Sequence, residues 1–94
     1  MIEFDPDKDA ANIAKHGMSL QLANRIDLAR AVVIPDARSD YGETRWLAYD
    51  DIEARLHVLV FTERGGLIRA ISLRKANDRE QRFVETKRSS RSTS

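Results

Sequence analysis

Apolar and polar positions alternate at the start of the chain, where Ile2-Glu3-Phe4 predicts a short opening strand. Asp5-Pro6 has the grammar of a helix start: a carboxylate able to accept from unpaired backbone N–H groups, then proline at the first helical position. Ala10, Ala11, Ile13 and Ala14 carry a short helix towards Gly17, which suits the left-handed residue just past a helix end. Lys15 and His16 meet the negative end of its dipole. Ser19 caps a second predicted helix over residues 20–30, with Leu22, Ile26 and Ala29 on one face.

Val32-Val33-Ile34 is β-branched and stops at Pro35, a short strand; Pro35 to Gly42 is turn-rich and has no core pattern. Thr44 to Tyr49 resumes as a strand holding the only tryptophan, Trp46, and Asp50-Asp51 marks the next turn. Leu56 to Glu63 is the strongest strand pattern, and Gly65-Gly66 joins it to Leu67–Leu73 as a two-residue hairpin, because adjacent glycines supply the positive φ angles such turns need. Ala76 to Glu85 predicts a final helix with Phe83 and Val84 as its apolar contacts. Ser89 to Ser94 has nothing to bury and reads as a flexible tail after a single domain over residues 1–88. The order β-α-α-β-β-β-β-α predicts an α+β domain, a small antiparallel sheet with helices packed on it.

Of the 94 residues, 41% are hydrophobic and 33% charged, which excludes disordered, collagenous and membrane classes for the bulk of the chain. No apolar run approaches the ~20 residues of a membrane span. The first residues lack the basic flank and apolar stretch of a secretory signal, so none is expected. There is no cysteine, which removes disulfides, thiol catalysis and cysteine metal sites; a reducing cytoplasm is the simplest home. The net charge of +1 hides an asymmetry. Residues 1–63 carry 12 acidic and 7 basic side chains, whereas residues 64–94 carry 3 and 9. Such a basic half points to an anionic partner, nucleic acid first, or to a helix face that merely solvates its arginines.

The hairpin sharpens the first option. With Gly65 and Gly66 in the turn, Thr62, Arg64, Leu67 and Arg69 share one face, and Val58, Val60, Ile71 and Leu73 lie deeper on it. Leu59, Phe61, Ile68 and Ala70 fall on the other, with Glu63 at the tip and His57 and Arg74 at the far end. Two guanidiniums on a rigid hairpin suit a phosphate, whose oxygens match their planar fork. The competing reading pairs Arg64 and Arg69 with Glu63 or Glu43 in surface salt bridges, and position alone favours it. Arg74-Lys75, where strand gives way to helix, would make an anion seat, and no acidic neighbour answers them before Asp78. His16 at a helix end suits dipole complementation or acid–base work, whereas His57, Trp46 and Phe83 read as core. The two histidines have no metal-site spacing, so no metal and no cofactor is expected.

Four stretches then resemble the BrnT-type toxins of bacterial type II toxin–antitoxin systems. They are Phe4-Asp5-Pro6-Asp7-Lys8 with Asn12 and Lys15-His16-Gly17-Met18-Ser19; Gly42-Glu43-Thr44-Arg45-Trp46; Thr62-Glu63-Arg64-Gly65; and Arg69-Ala70-Ile71-Ser72-Leu73-Arg74-Lys75-Ala76. The likeness runs in order from residue 2 to about residue 85. It departs at Met18 and Leu20, where Val and Phe are common, and at Phe83, where Tyr is frequent.

The resemblance implies a RelE-like fold and a cytoplasmic ribonuclease that cleaves RNA and halts translation until an antitoxin covers it. The antitoxin would be a small DNA-binding protein, BrnA-like, through which alone operator DNA is reached. The resemblance also admits a toxin dimer bridged by its partners, although no exposed apolar stripe demands one. Metal-independent cleavage by 2′-hydroxyl attack needs positive charge on the phosphoryl oxygens. Arg64 and Arg74 are the first candidates, Glu43 or Glu63 the base, and His16 its acid or base partner. Arg69, Lys75, Arg45 and Arg79 are expected to bind RNA. A module that binds RNA or a partner through the same surface without cutting is the alternative.

Overall fold

The computed structural model describes residues 2–37 and 42–92; the part of the predicted loop over residues 38–41 lies outside them. Strand β1 (Glu3–Phe4) leads into helix α1 (Pro6–His16), a 3-10 helix (Leu20–Arg25), β2 (Val32–Pro35), β3 (Trp46–Ile52), β4 (Arg55–Arg64), β5 (Leu67–Lys75) and helix α2 (Asp78–Ser92). The domain is α+β, and its five strands lie in the order β1-β5-β4-β3-β2. The sheet is mixed rather than wholly antiparallel, because β1 lies parallel to β5, Glu3 opposite Arg69 and Phe4 opposite Ala70.

The ends of α1 follow the local chemistry. Asp5 Oδ1 accepts from the Asp7 N–H at 2.8 Å, and Gly17, at φ 72°, donates its N–H to Ile13 O at 2.8 Å. Ser19 caps the next turn as predicted, accepting from the Gln21 N–H at 3.1 Å. That segment is not a helix to residue 30, however. Ile26 turns extended, and the Asp27 N–H donates to Asp50 Oδ2 at 2.9 Å, so a tertiary bond replaces the next helical turn.

Asp50 does not mark a turn either. It lies fully buried within β3, where Arg30 clasps it through Nε at 3.0 Å and Nη2 at 2.8 Å. Burial pushes this carboxyl up, but the Arg30 guanidinium and the N–H groups of Asp27 and Asp51 outweigh it and hold the pKa below the ordinary range. The turn falls at Glu53 and Ala54, whose φ angles of 51° and 63° make a two-residue hairpin without glycine.

The two faces of the sheet are covered differently. On one, Leu20, Ala23 and Ile26 pack with Ala48, Leu59, Phe61, Ala70 and Leu73. On the other, Val84 and Phe83 of α2 close over Tyr49, Val58 and Val60, with the Phe83 and Tyr49 rings edge to face at 5.7 Å. Helix α2 runs to Ser92, beyond the predicted end at Glu85, and Ser89 and Ser90 are exposed on it.

Helix α1 covers neither face. Because β1 is only two residues long, the edge of β5 is open beyond Ala70, and α1 is bound there through its single buried residue, Asn12. Asn12 Nδ2 donates to Leu73 O and to Met18 O, both at 2.9 Å, while Oδ1 accepts from the Leu73 N–H at 3.0 Å. One side chain thus supplies the ladder bonds a neighbouring strand would make. No helix among the described residues is long and apolar enough to cross a membrane.

Candidate active site

The hairpin register is as predicted, Arg64 opposite Leu67, Glu63 opposite Ile68 and Thr62 opposite Arg69. The regular alternation then breaks. Phe61 faces Ala70 but Val60 faces Ser72, so Ile71 is an extra residue in β5. Beyond the bulge every β5 side chain changes sides relative to a straight strand. Leu73 turns to the core beside Leu59, and Arg74 comes opposite Val58, on the face that carries Arg64 and Arg69. Arg74 was expected on the other face, beside His57; a single inserted residue moves it.

That change opens a cleft of about 330 Å³ between α1 and the sheet, lined by Lys8, Asn12, Lys15, His16, Ser72 and Arg74 among others. Helical spacing brings Lys8, Asn12, Lys15 and His16 to one side of α1, and the Asn12 clamp fixes that side against β5. Two cations, Lys15 and Arg74, act on His16, and Lys8 lines the same cleft. Partial burial, then Lys15, then Arg74 push its pKa below the ordinary value of 6.5. At neutral pH the imidazole is therefore chiefly uncharged and can accept a proton.

The Arg74 guanidinium is gripped from its far side by Glu80 of α2, Nη1 to Oε1 and Nη2 to Oε2, each at 2.8 Å. An acidic partner does answer Arg74, two residues further along than Asp78. Its signal was present: Asn77 and Glu80 form a reciprocal capping box, with bonds of 2.9 and 2.8 Å.

The other predicted residues stand elsewhere. Arg64 makes a 2.7 Å ion pair with Glu43 at the hairpin tip, which holds the Glu43 carboxyl below its usual range and raises the guanidinium. Arg45 approaches the same carboxylate at 3.6 Å. Arg69 meets Glu3 at 3.3 Å and Asp5 at 3.9 Å. The salt-bridge reading thus describes both hairpin arginines, with Glu3 and Asp5 as the partners of Arg69. Glu63 points to the opposite face, beside Trp46, Phe61 and Ile68. Lys75 is opposite His57, near Arg55 and Glu53, so strand alternation separates it from Arg74 and no joint seat forms. Arg79 is exposed on the first turn of α2. His57 is buried, its Nδ1 2.7 Å from Arg55 O. Lys8, Lys15 and Ser72 were not singled out as site residues, although the Lys8/Lys15 spacing of seven on one helix was readable. Among the described residues no three His, Cys, Asp or Glu side chains gather as a metal site.

Known proteins resemble this chain in sequence and in fold. Residues 4–80 match the family model described as the ribonuclease toxin BrnT of type II toxin–antitoxin systems. The fold resembles the 1.1 Å crystal structure of the Brucella abortus ribonuclease toxin BrnT, with a TM-score of 0.66 and 26% sequence identity. That likeness covers 82% of this chain and 96% of the other. No curated protein sequence matches the chain.

Proposed function

The chain belongs to the BrnT family of ribonuclease toxins of type II toxin–antitoxin systems, and from that premise we propose that it cuts RNA in the cleft between α1 and β5, using its own side chains. The observation that carries this reading is the shared cleft: an uncharged histidine among Lys8, Lys15 and Arg74. His16 takes the proton of a ribose 2′-hydroxyl. The freed oxygen bonds to the adjacent phosphorus, the bond from phosphorus to the 5′-oxygen breaks, and a cyclic phosphate and a 5′-hydroxyl result. The leaving oxygen receives its proton from a lysine ammonium of the cleft, Lys8 or Lys15. Arg74 and these lysines oppose the charge that gathers on the phosphoryl oxygens, which is where such a reaction needs help most.

In this reading His16 is the base, a role first offered to Glu43 or Glu63. Glu43 orients Arg64 and Arg45 at the hairpin tip. Arg64, Arg69, Arg45 and the exposed Arg79 contact the RNA backbone beyond the cleft. As a type II toxin the protein has a protein antitoxin. We take that antitoxin to be BrnA-like, a DNA-binding protein that covers the cationic cleft and carries the complex, including any toxin dimer, to operator DNA. RNA cleavage in the cytoplasm then halts translation.

The test is labelled RNA incubated with the purified protein in excess chelator. Cleavage that leaves 5′-hydroxyl ends, and that stops when antitoxin is added, is expected. Salt-dependent binding without any product, on naked RNA and on translating ribosomes alike, would replace this reading with that of a binding module.

A further inference from the structure

A carboxylate beside a phosphate-binding arginine needs a reason, since it repels the same substrate the arginine attracts. Glu80 sits in that place. Its side chain is 15% exposed and that of Arg74 26%, so the pair is largely sheltered from solvent. Both guanidinium Nη atoms are engaged in parallel 2.8 Å bonds, a bidentate geometry that leaves the group little freedom. Glu80 is itself held, because Oε1 also accepts from the Asn77 N–H at 2.9 Å while Asn77 Oδ1 accepts from the Glu80 N–H. The chain of restraint therefore runs from the start of α2, through Glu80, to a guanidinium that lines the cleft with His16.

We propose that Glu80 is a positioning residue for RNA cleavage: it fixes the attitude of the Arg74 guanidinium and balances its charge beside His16. The inference rests on the cleft reading above and adds to it a residue outside the cleft wall. An unrestrained arginine surrenders several rotamers when it grips a phosphate, whereas one already held in place does not. The charge balance matters because the charged groups that line the cleft with His16 are all cationic: Lys8 and Lys15 from α1, Arg74 from β5. Glu80, reaching in from α2 through Arg74, is the opposing charge.

Capping and positioning can be told apart with Glu80→Gln, since glutamine also completes a capping box. In steady-state cleavage of a short RNA, Glu80→Gln is expected to lower kcat by about 10- to 100-fold, the upper figure being the loss when a reacting group drifts by about 1 Å. KM should stay level or fall, because a negative charge near the substrate is gone. The imidazole titration of His16, followed by NMR on the protein alone, should move to lower pH. Glu80→Asp keeps the charge on a shorter arm, so it should restore the titration but not kcat. Wild-type kcat and His16 titration in Glu80→Gln, alongside an inactive Arg74→Ala, would overturn the positioning role and leave the cleft reading intact. Full cleavage by Arg74→Ala would bring down the cleft reading, and Glu80 with it.

Discussion

Asn12→Asp changes one amide nitrogen to oxygen at the joint between α1 and β5. The acceptor for the Leu73 N–H survives, but the new oxygen faces Leu73 O and Met18 O, each 2.9 Å from the present nitrogen. A protonated aspartic acid can donate to one of those carbonyls and loses the other bond. An ionised one loses both and buries a charge at a position only 4% exposed. At ~1–3 kcal/mol for each buried group left unsatisfied, the protonated form should cost about 1–3 kcal/mol. The ionised form should cost about 2–6 kcal/mol, two such losses, with Lys8, Lys15 and Arg74 of the cleft offsetting only part of the charge. Burial raises the folded-state pKa of the new carboxyl, so the folded protein holds its proton where the unfolded chain has released it. The mutant's deficit is therefore small below the unfolded value of about 3.9 and grows as pH rises towards the folded pKa. Urea unfolding of mutant and wild type, paired at pH 4 and pH 7 so that other groups cancel, reads the difference directly. Equal deficits at the two pH values, or a deficit below about 1 kcal/mol at pH 7, would refute Asn12 as the buried clamp.

Other consequences are as concrete. Cleavage with His16 as base requires the neutral imidazole, so kcat/KM should fall as pH drops through the His16 pKa; because that pKa is lowered, activity should persist below pH 6.5, and a midpoint above 6.5 would contradict the assignment. Asp50→Ala removes the acceptor of the Asp27 N–H and the carboxylate that Arg30 clasps, and should cost about 2–4 kcal/mol in urea unfolding at neutral pH. Its lowered pKa means the Asp50 contribution is present above the unfolded carboxyl range and is lost as pH falls through the folded value, so the wild-type and mutant curves should converge in acid. Replacing Glu53-Ala54 by Asn-Gly relieves two left-handed residues and should stabilise the fold by about 1–2 kcal/mol, seen as a higher Tm.

Local chemistry was legible where a short stretch decides its own shape. Asp5-Pro6, Gly17 and Ser19 set the ends of their segments, and Gly65-Gly66 set the hairpin and its register. What escaped depends on partners distant in sequence. Asp50 looks like a turn residue until Arg30 and the Asp27 N–H arrive to satisfy it in the core. Glu53-Ala54 has no turn signature, so the hairpin it forms was placed too early. The parallel pairing of β1 joins opposite ends of the chain, and no alternation pattern encodes it.

The site was half legible for the same reason. Arg74 and His16 stood out by type and by their places at element ends. The bulge at Ile71 that turns Arg74 towards His16 leaves no mark in the hydrophobic pattern, because Ile71 and Ser72 suit either face. The hairpin arginines drew attention through the strength of the hairpin signal, yet Arg64 and Arg69 have acidic partners, two of them from the first five residues. Glu80 and the Lys8/Lys15 pair were written in helical spacing and in a capping box, which gain chemical meaning only once α1 and α2 meet β5.

The central claim is that RNA is cut in the cleft between α1 and β5, and single-turnover cleavage by three purified variants tests it most directly. His16→Ala should lose about 10²–10⁴-fold as the missing base, and Arg74→Ala about 10²–10³-fold as the missing electrostatic partner. Arg64→Ala, outside the cleft, should lose less than either. Near-wild-type rates for His16→Ala and Arg74→Ala, with the large loss falling on Arg64→Ala, would move the chemistry to the hairpin tip and contradict the account.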